Sequence, residues 1–359
     1  MHRLKSFGAI EGDDVVARDH ERGQAGACRC PEEMDMPDVS PSVLVIRLDG
    51  IGDALTLVPL LAALRDRGIP ADVVLSPANA GIFSSRAARR CIAGTVALRS
   101  SSAQNRERIR DFGRILARNG YTHTLVATED PSGYRLARAS GAPVRVGFSN
   151  GWGKPFKTLW SRAFLTDAVY RSAGLDSRAP HECDVLFELG RQLLGDARPS
   201  RDPAALRPLV LERELQPDER VAMQITDKWE RSAISEVRVL ETIAAVRNRH
   251  PLRLIAATSE AAYAERIASK AGMPVERFET LEPWKEAVAS ASALVAPDSG
   301  ALHVAGLTGT PTVAIFPPSR DLALQAARWA PWAARHRIVV ADGEWPGRVL
   351  EALAQLRRR

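Results

Sequence analysis

The sequence has little of several features that would assign its class at once. Its 359 residues include four cysteines, and aromatic residues make up 6%. No stretch approaches the roughly 18 to 20 consecutive apolar residues that span a bilayer. The opening "MHRLKSFGAIEGDDVVARDH" also lacks the apolar core of a secretory signal. We therefore expect a cytoplasmic protein.

The cysteines do not form a metal-binding pattern. Cys28 and Cys30 stand together in "ACRCPEE", but no second Cys/His pair follows at the spacing of a zinc site. Cys91 and Cys183 are isolated. We expect free thiols in a reducing compartment and no metal ion.

The standard nucleotide motifs are also missing. The chain has no Gly-Lys-Ser/Thr of a P-loop. Its "GIGDAL" differs from the dinucleotide fingerprint, because Leu55 stands at the third glycine position and Asp53 follows the second glycine. A carboxylate in that turn would repel a bound pyrophosphate, so an NAD-dependent enzyme is disfavoured.

The charge is modestly basic, with a formal net charge of +6 and a pI of about 9.4. A basic surface suits anionic substrates or an anionic membrane face, although a general preference for arginine would give the same balance. No nucleic-acid-binding motif is present, so nucleic acid is not an expected partner.

What the sequence does contain is a repeated alternation of strand and helix patterns. "SVLVIRL", "ADVVLS", "HTLVAT" and "VRVGF" have the composition of buried strands, and amphipathic helical segments separate them. A second series begins at "RVAMQIT" and ends with "PTVAIFP". This order predicts an α/β fold with a parallel sheet in each half.

The composition also suggests the division of the chain. We predict a flexible leader over residues 1–41 and a first Rossmann-like domain over 42–196, ending in one long helix, "ECDVLFELGRQLLG". A proline-rich linker over 197–219 follows, then a second Rossmann-like domain over 220–342 and a terminal helix over 343–359.

Two turns carry the chemistry. In "SVLVIRLDGIGDALTLVPLLAALRDRG", Gly50 and Gly52 bring the backbone close to a neighbour, and Asp53 opens a helix either as a cap or as a functional acid. In "LVAPDSGALHVAGLTGTPTVAIFPPS", Ser299 opens a helix whose first N–H groups suit an anion, with His303 one turn later on the same face. A structural cap and a buried histidine would explain the second turn equally simply.

Together, these turns resemble the two signature regions of glycosyltransferase family 9, whose best-known members are ADP-heptose:lipopolysaccharide heptosyltransferases. The resemblance runs from about Ser42 to Asp342. It implies a GT-B fold, in which two facing Rossmann-like domains enclose a cleft, with the acceptor on the N-terminal domain and the sugar nucleotide on the C-terminal one. Such enzymes invert the anomeric centre and need no metal ion or cofactor.

The resemblance also implies roles for single residues. Asp53 would be the general base, ionised at neutral pH if its pKa stays near the ordinary value of about 3.9. Gly50 and Gly52 would form the acceptor-side turn. The donor-binding residues would be Thr226, Lys228, Ser299, Gly300 and His303 for the diphosphate, Asp298 for the sugar, and Glu260 and Leu281 for the nucleoside.

Three departures from the family pattern affect the donor site and the first turn. "MQITDK" stands where many relatives have a His-Pro-Gly type loop, "DSG" replaces the commoner "DTG", and Asp49 replaces a small residue. The first departure lies in the loop that carries Thr226 and Lys228, whereas Asp53 and His303 themselves match the family pattern.

The sequence therefore predicts an inverting glycosyltransferase that uses a nucleoside-diphosphate sugar, with ADP-heptose as the leading donor. The acceptor would be a lipid-linked or cell-surface glycan met at the inner face of the cytoplasmic membrane. "FSNGWGKPFKTLWSR", which contains Trp152, Phe156, Lys157 and Trp160, would be an acceptor-side flap or a partly buried domain edge. A non-catalytic protein that binds a nucleotide or glycan is the alternative.

Overall fold

The computed structural model describes residues 40–94, 102–172 and 180–357. Ser40–Arg359 form one compact unit. Nearly all of the predicted leader, including Cys28 and Cys30, lies outside the described residues. Among those described, none of the helices combines the length and the apolar character needed to cross a bilayer.

The N-terminal half contains a parallel sheet of six strands in the order β3-β2-β1-β4-β5-β6. The strands are Val43–Arg47 (β1), Ala71–Leu75 (β2), Arg90–Ala93 (β3), His123–Val126 (β4), Val144–Ser149 (β5) and Asp167–Tyr170 (β6). The helices are Ile51–Leu55 (α1), Val58–Asp66 (α2), Ala103–Ala117 (α3), Pro131–Ala139 (α4), Pro155–Arg162 (α5), Glu182–Phe187 (α6) and Arg191–Leu194 (α7).

The C-terminal half repeats the plan with a second parallel sheet of six strands, in the order β12-β11-β10-β7-β8-β9. The strands are Asp218–Gln224 (β7), Leu252–Ala257 (β8), Val275–Phe278 (β9), Ala291–Pro297 (β10), Thr312–Phe316 (β11) and His336–Val340 (β12). The helices are Pro203–Val210 (α8), Lys228–Arg231 (α9), Glu236–Arg247 (α10), Ala261–Ala271 (α11), Leu281–Ser290 (α12), Gly300–Thr308 (α13), Leu322–Trp329 (α14) and Trp345–Arg357 (α15).

The predicted α/β class, with a parallel sheet in each half, is therefore confirmed. The central strands β1 and β10 are almost entirely buried, as apolar runs in parallel sheets require. The predicted helix after β1 is in fact two helices. Thr56 interrupts it by donating its hydroxyl to the carbonyl oxygen of Asp53 at 2.6 Å, and Pro59 stands in the first turn of α2.

Two further segments differ from their predictions. The single long helix expected over "ECDVLFELGRQLLG" is α6 and α7 with a 3₁₀ turn between them. In that turn Gly190 lies so close to α2 that a Cβ would stand 2.7 Å from Leu60 Cδ1. The predicted linker, 197–219, contains the helix α8, whose Leu206, Leu209 and Val210 are fully buried in a core shared by both halves.

A buried ammonium group also joins the halves. Lys285, on α12, is fully buried, and its Nζ donates to the carbonyl oxygens of Ile82 at 3.2 Å and Val210 at 2.6 Å. Its charge is balanced by Glu282 Oε2 at 2.6 Å. One side chain therefore connects the N-terminal half, α8 and the C-terminal half.

We expect Lys285→Met to destabilise the protein by about 3 to 5 kcal/mol, because it leaves the buried carbonyl groups without their charged donor. The measurement is chemical denaturation of purified protein. Lys270→Met is the matched control: Lys270 is half exposed and pairs with Glu236 on the surface, so it should cost at most about 1 kcal/mol. Equal effects of the two substitutions would contradict a joining role for Lys285.

Candidate active site

A cavity of about 820 Å³ lies where the two halves face each other, at the carboxyl ends of β1, β7 and β10. Crevices at this edge of parallel sheets are the usual ligand sites of such folds. The cavity brings together all of the predicted site residues: Gly50, Gly52, Asp53, Thr226, Lys228, Glu260, Leu281, Asp298, Ser299, Gly300 and His303.

The two predicted turns touch each other directly. A Cβ added to Gly52 would stand 2.7 Å from His303 Cδ2, and one added to Gly300 would stand 2.9 Å from Ile51 Cγ2. Real Cβ atoms do not come this close to their neighbours, so both positions need glycine. The start of α1 and the start of α13 belong to opposite halves. They pack against each other where both line the cavity.

Asp53 lies in the first turn of α1, with 37% of its side chain exposed to the cavity. Arg47 Nη2 donates to its Oδ1 at 3.2 Å, and Arg47 Nε holds its main-chain oxygen at 3.0 Å. The pKa of Asp53 is raised above its ordinary value. Burial is the main cause, Arg47 opposes it, and the negative charges of Asp49 and Glu182 add to it. The expectation of an unperturbed pKa is therefore corrected.

Glu182, at the start of α6, is fully buried among three arginines. It accepts from Arg171 at 2.8 Å and from Arg328, on α14, at 2.9 Å, and lies 3.6 Å from Arg47. A buried carboxylate needs such partners. Through them it connects the arginine that holds Asp53 to the opposite half of the molecule.

The N-terminus of α13 keeps its donors available. Ser299 does not cap the helix with its side chain, and its buried Oγ has no hydrogen-bond partner. The interpretation of this turn as a plain serine cap is therefore wrong. An unpartnered hydroxyl beside the free N–H groups of a helix start is suited to an anion.

His303 is almost fully buried, and burial together with nearby positive charge lowers its pKa to about 3. The imidazole is therefore neutral at physiological pH and can act only through an N–H group or its lone pair. Its ring packs edge-on against Trp329, with 6.0 Å between centroids, and also lies against Gly52. It thus helps to define the contact between the two turns.

Lys228 and Thr226 lie on the loop after β7. Lys228 Nζ donates to the main-chain oxygen of Asp298 at 2.9 Å, which holds the ammonium beside the α13 turn. Thr226 Oγ1 donates to Glu260 Oε1 at 2.5 Å. Burial raises the pKa of Glu260 and that of Asp298; the Lys228 charge opposes the latter shift, and Asp53 adds to it.

The far end of the cavity is apolar. Leu281 opens α12 there, and Phe278 and Trp284 line the same region, with Glu260 beside them. This arrangement offers flat apolar surface for a base and a carboxylate for a ribose. Among the described residues, no cluster of His, Cys, Asp or Glu has the geometry to hold a metal ion.

Sequence reasoning missed Arg47, Trp329 and the positioning role of Glu182. A signal existed for Arg47, because a charged residue inside the apolar run "VLVIRL" must find a buried partner. Trp329 lies on a helix that has no recognisable motif, so only the fold brings it into the cavity.

Comparisons with known proteins bear on the family and on the fold. Residues 250–356 match the family model "Glycosyltransferase family 9 (heptosyltransferase)". A family 9 glycosyl transferase from Veillonella parvula is similar in structure, with 16% identity, 88% of this chain and 97% of that chain covered, and a TM-score of 0.66. No curated protein sequence matches the chain.

Two Escherichia coli structures are similar in the same way. ADP-heptose LPS heptosyltransferase II has 18% identity and a TM-score of 0.64, with 88% of this chain and 98% of that chain covered. Heptosyltransferase WaaC, solved with ADP-2-deoxy-2-fluoro heptose, has 19% identity, the same coverage and a TM-score of 0.63. The resemblance to glycosyltransferase family 9 is thus confirmed, by its family model over residues 250–356 and by its GT-B fold over most of the chain.

Proposed function

We propose that this protein is an inverting, metal-independent glycosyltransferase that moves a sugar from a nucleoside-diphosphate donor to a hydroxyl group of an acceptor, with Asp53 as the general base. One observation carries the proposal: the partly exposed carboxylate of Asp53 and the unpartnered N-terminus of α13 face the same cavity from opposite halves. An acid and an anion site placed in this way suit a displacement that removes a proton on one side and releases a diphosphate on the other.

On the acceptor side, Asp53 takes the proton of the attacking hydroxyl as its oxygen bonds to the anomeric carbon. Arg47 orients the carboxylate through its bond to Oδ1. The raised pKa makes Asp53 a stronger base than an ordinary aspartate. Gly50 and Gly52 have no side chains, so the turn leaves room for the acceptor to approach.

On the donor side, negative charge grows on the diphosphate as its bond to the sugar breaks. The N–H groups at the start of α13 and the hydroxyl of Ser299 can stabilise that charge by donating hydrogen bonds to the phosphate oxygens. Lys228 supplies a cation nearby. Neutral His303 contributes an N–H group, and Asp298 would contact the sugar. Because these hydrogen-bond donors are already in place, they do not have to reorganise during the reaction.

The donor we propose is ADP-heptose, since Glu260 and the apolar end of the cavity suit a nucleoside, and since the structurally similar proteins include an ADP-heptose LPS heptosyltransferase and a heptosyltransferase with bound ADP-2-deoxy-2-fluoro heptose. The acceptor we propose is a lipid-linked or cell-surface glycan, reached from the cytoplasm at the inner membrane face. A panel of ADP, GDP, UDP and NAD in a thermal-shift assay tests the nucleotide, because a ligand well above its Kd stabilises the folded state. A response to NAD alone would overturn the proposal.

We expect Asp53→Asn to lower turnover by about 100-fold or more while ADP binding survives, because the amide cannot accept the proton. Release of ADP from ADP-heptose in the presence of membrane-derived acceptor measures turnover, and calorimetry measures binding. Asp66→Asn is the control, since Asp66 is an exposed carboxylate on α2 that does not line the cavity. Undiminished turnover in Asp53→Asn would remove its assigned role.

The pH profile gives an independent test of the same group. Asp53 must be deprotonated to act, so kcat/KM should fall as the pH drops through its raised pKa. Asp49→Asn removes a negative charge that contributes to that shift, so it should lower the pKa of Asp53 and move the acid limb to lower pH. An acid limb that stays in place, or moves upward, would contradict the assignment.

Ser299→Ala should weaken ADP binding about tenfold, because it removes a hydroxyl that would bond a charged phosphate. Ser292→Ala is the matched control. The Oγ of Ser292, on β10, is likewise buried without a partner, but it does not line the cavity. Equal ADP affinities in the two variants, measured by calorimetry, would refute the proposed diphosphate site.

A further inference from the structure

An apolar surface near the cleft is left uncovered. Among the described residues, seven large hydrophobic side chains are exposed, and four of them fall between positions 152 and 170. We call them the aromatic patch: Trp152 (95% exposed), Phe156 (88%), Leu159 (71%) and Tyr170 (69%). Scattered single residues of this kind are ordinary, but a contiguous group marks an interaction site.

The four side chains form one surface. Phe156 and Leu159 are three residues apart on α5, so they lie on the same helix face. Trp152 precedes that helix by one short turn. Tyr170, at the end of β6, joins the group because its ring lies against Gly151, where a Cβ would stand 3.3 Å from Tyr170 Cε2.

Other side chains of α5 pack against the fold, and Ser161 is buried. Trp160 stacks edge-on with Tyr134 at 5.6 Å between centroids and contacts Phe164 at 4.6 Å. Lys157 reaches inward to Glu129, with Nζ 3.0 Å from its Oε2, whereas Lys154, just before the helix, stays about half exposed. The helix is thus anchored on the fold, and the outward orientation of Phe156 and Leu159 is fixed rather than accidental.

The surroundings of the aromatic patch are positively charged. Residues 131–170, which include all of the aromatic patch, contain six lysines or arginines and one acid, Asp167. Lys154 is about half exposed, and Arg162, at the end of α5, is exposed. Exposed aromatic groups surrounded by cations match the interface of an anionic bilayer, where tryptophan and tyrosine lie at headgroup level and basic residues meet the lipid charge.

The shape favours a lipid surface over a protein partner. The aromatic patch projects from a helix and a strand end, and its most exposed ring is almost entirely in solvent. Four such side chains offer on the order of 600 Å², which is less than the roughly 800 Å² that each partner buries in a stable protein complex.

The position relates the aromatic patch to the cavity. Asp53 follows β1, Glu129 follows β4, and the segment that carries Trp152 follows β5; these three strands are neighbours in the first sheet. Adjacent strands lie about 4.8 Å apart, so the carboxyl ends of β1 and β5 are separated by roughly 10 Å across the sheet. The aromatic patch therefore stands on the same sheet edge as Asp53.

We propose that the aromatic patch, Trp152, Phe156, Leu159 and Tyr170, docks this protein on an anionic lipid bilayer, with Lys154 and Arg162 meeting the headgroups. Docking in this way holds the acceptor side of the cleft next to the lipid surface. This inference deepens the proposed function and rests on it only for the purpose of the docking. Binding to lipid itself requires neither the sugar donor nor the acceptor.

The test is co-sedimentation of the full chain with vesicles of phosphatidylethanolamine and phosphatidylglycerol, compared with phosphatidylcholine vesicles. We expect binding to the anionic vesicles that weakens with salt, and at least a tenfold loss of binding in W152A/F156A. The matched control is I115A/V237A, which removes two exposed apolar side chains from elsewhere and should bind like the unchanged protein. Thermal melting checks that each variant is folded.

Absence of vesicle binding, or equal loss in the two double variants, would overturn the proposal. Sedimentation velocity without lipid tests whether a second copy of the chain covers the aromatic patch instead. A concentration-dependent dimer that W152A/F156A abolishes would assign the patch to that second copy and would also overturn the proposal. Because calorimetry with ADP is separate, failure of lipid docking and failure of the proposed enzyme activity are distinguishable.

Discussion

The contact between Gly52 and Gly300 sets how closely the two halves approach. Each glycine lies where any side chain would meet atoms of the opposite turn, His303 in one case and Ile51 in the other. Because this contact is so close, the carboxylate that follows Gly52 and the helix that begins at Gly300 share one cavity. An anion site on one sheet and an acid on the other become a single site only at this separation.

The electrostatics of that site depend on how one arginine is shared. A lone Arg–Asp pair would lower the pKa of the carboxyl, but Arg47 faces Asp49, Asp53 and Glu182 together. Glu182 is in turn held by Arg171 and Arg328. The guanidinium therefore orients Asp53 without neutralising its basicity, and burial determines the direction of the shift. Orientation and base strength, which usually oppose each other, are both obtained.

Much of this arrangement was readable from the sequence, because its signals are local. The apolar run of β1, the Gly-Ile-Gly-Asp turn and the Asp-Ser-Gly turn each follow from neighbouring residues, and all of the predicted site residues line the cavity. Their catalytic and binding roles stay predictions. The edge strands β3, β6, β9 and β12 were all missed, because few of their side chains are buried and no long apolar run marks them. The Glu182 cluster was missed because its members are far apart in sequence and meet only in the fold.

Different interactions join the two halves at Lys285 and at the glycine contact, and this difference affects how the halves can move relative to each other. The buried ammonium of Lys285 donates to the main-chain oxygens of Ile82, in the N-terminal half, and Val210, on α8. Separating the halves at this point would leave a buried charge without these hydrogen-bond acceptors. At the glycine contact the surfaces meet by van der Waals packing between small groups. A rotation whose axis passes close to Lys285 would open the glycine edge and keep the ammonium bonded, but it would also separate Arg328 from the buried Glu182, so admitting or releasing a substrate in this way breaks that ion pair.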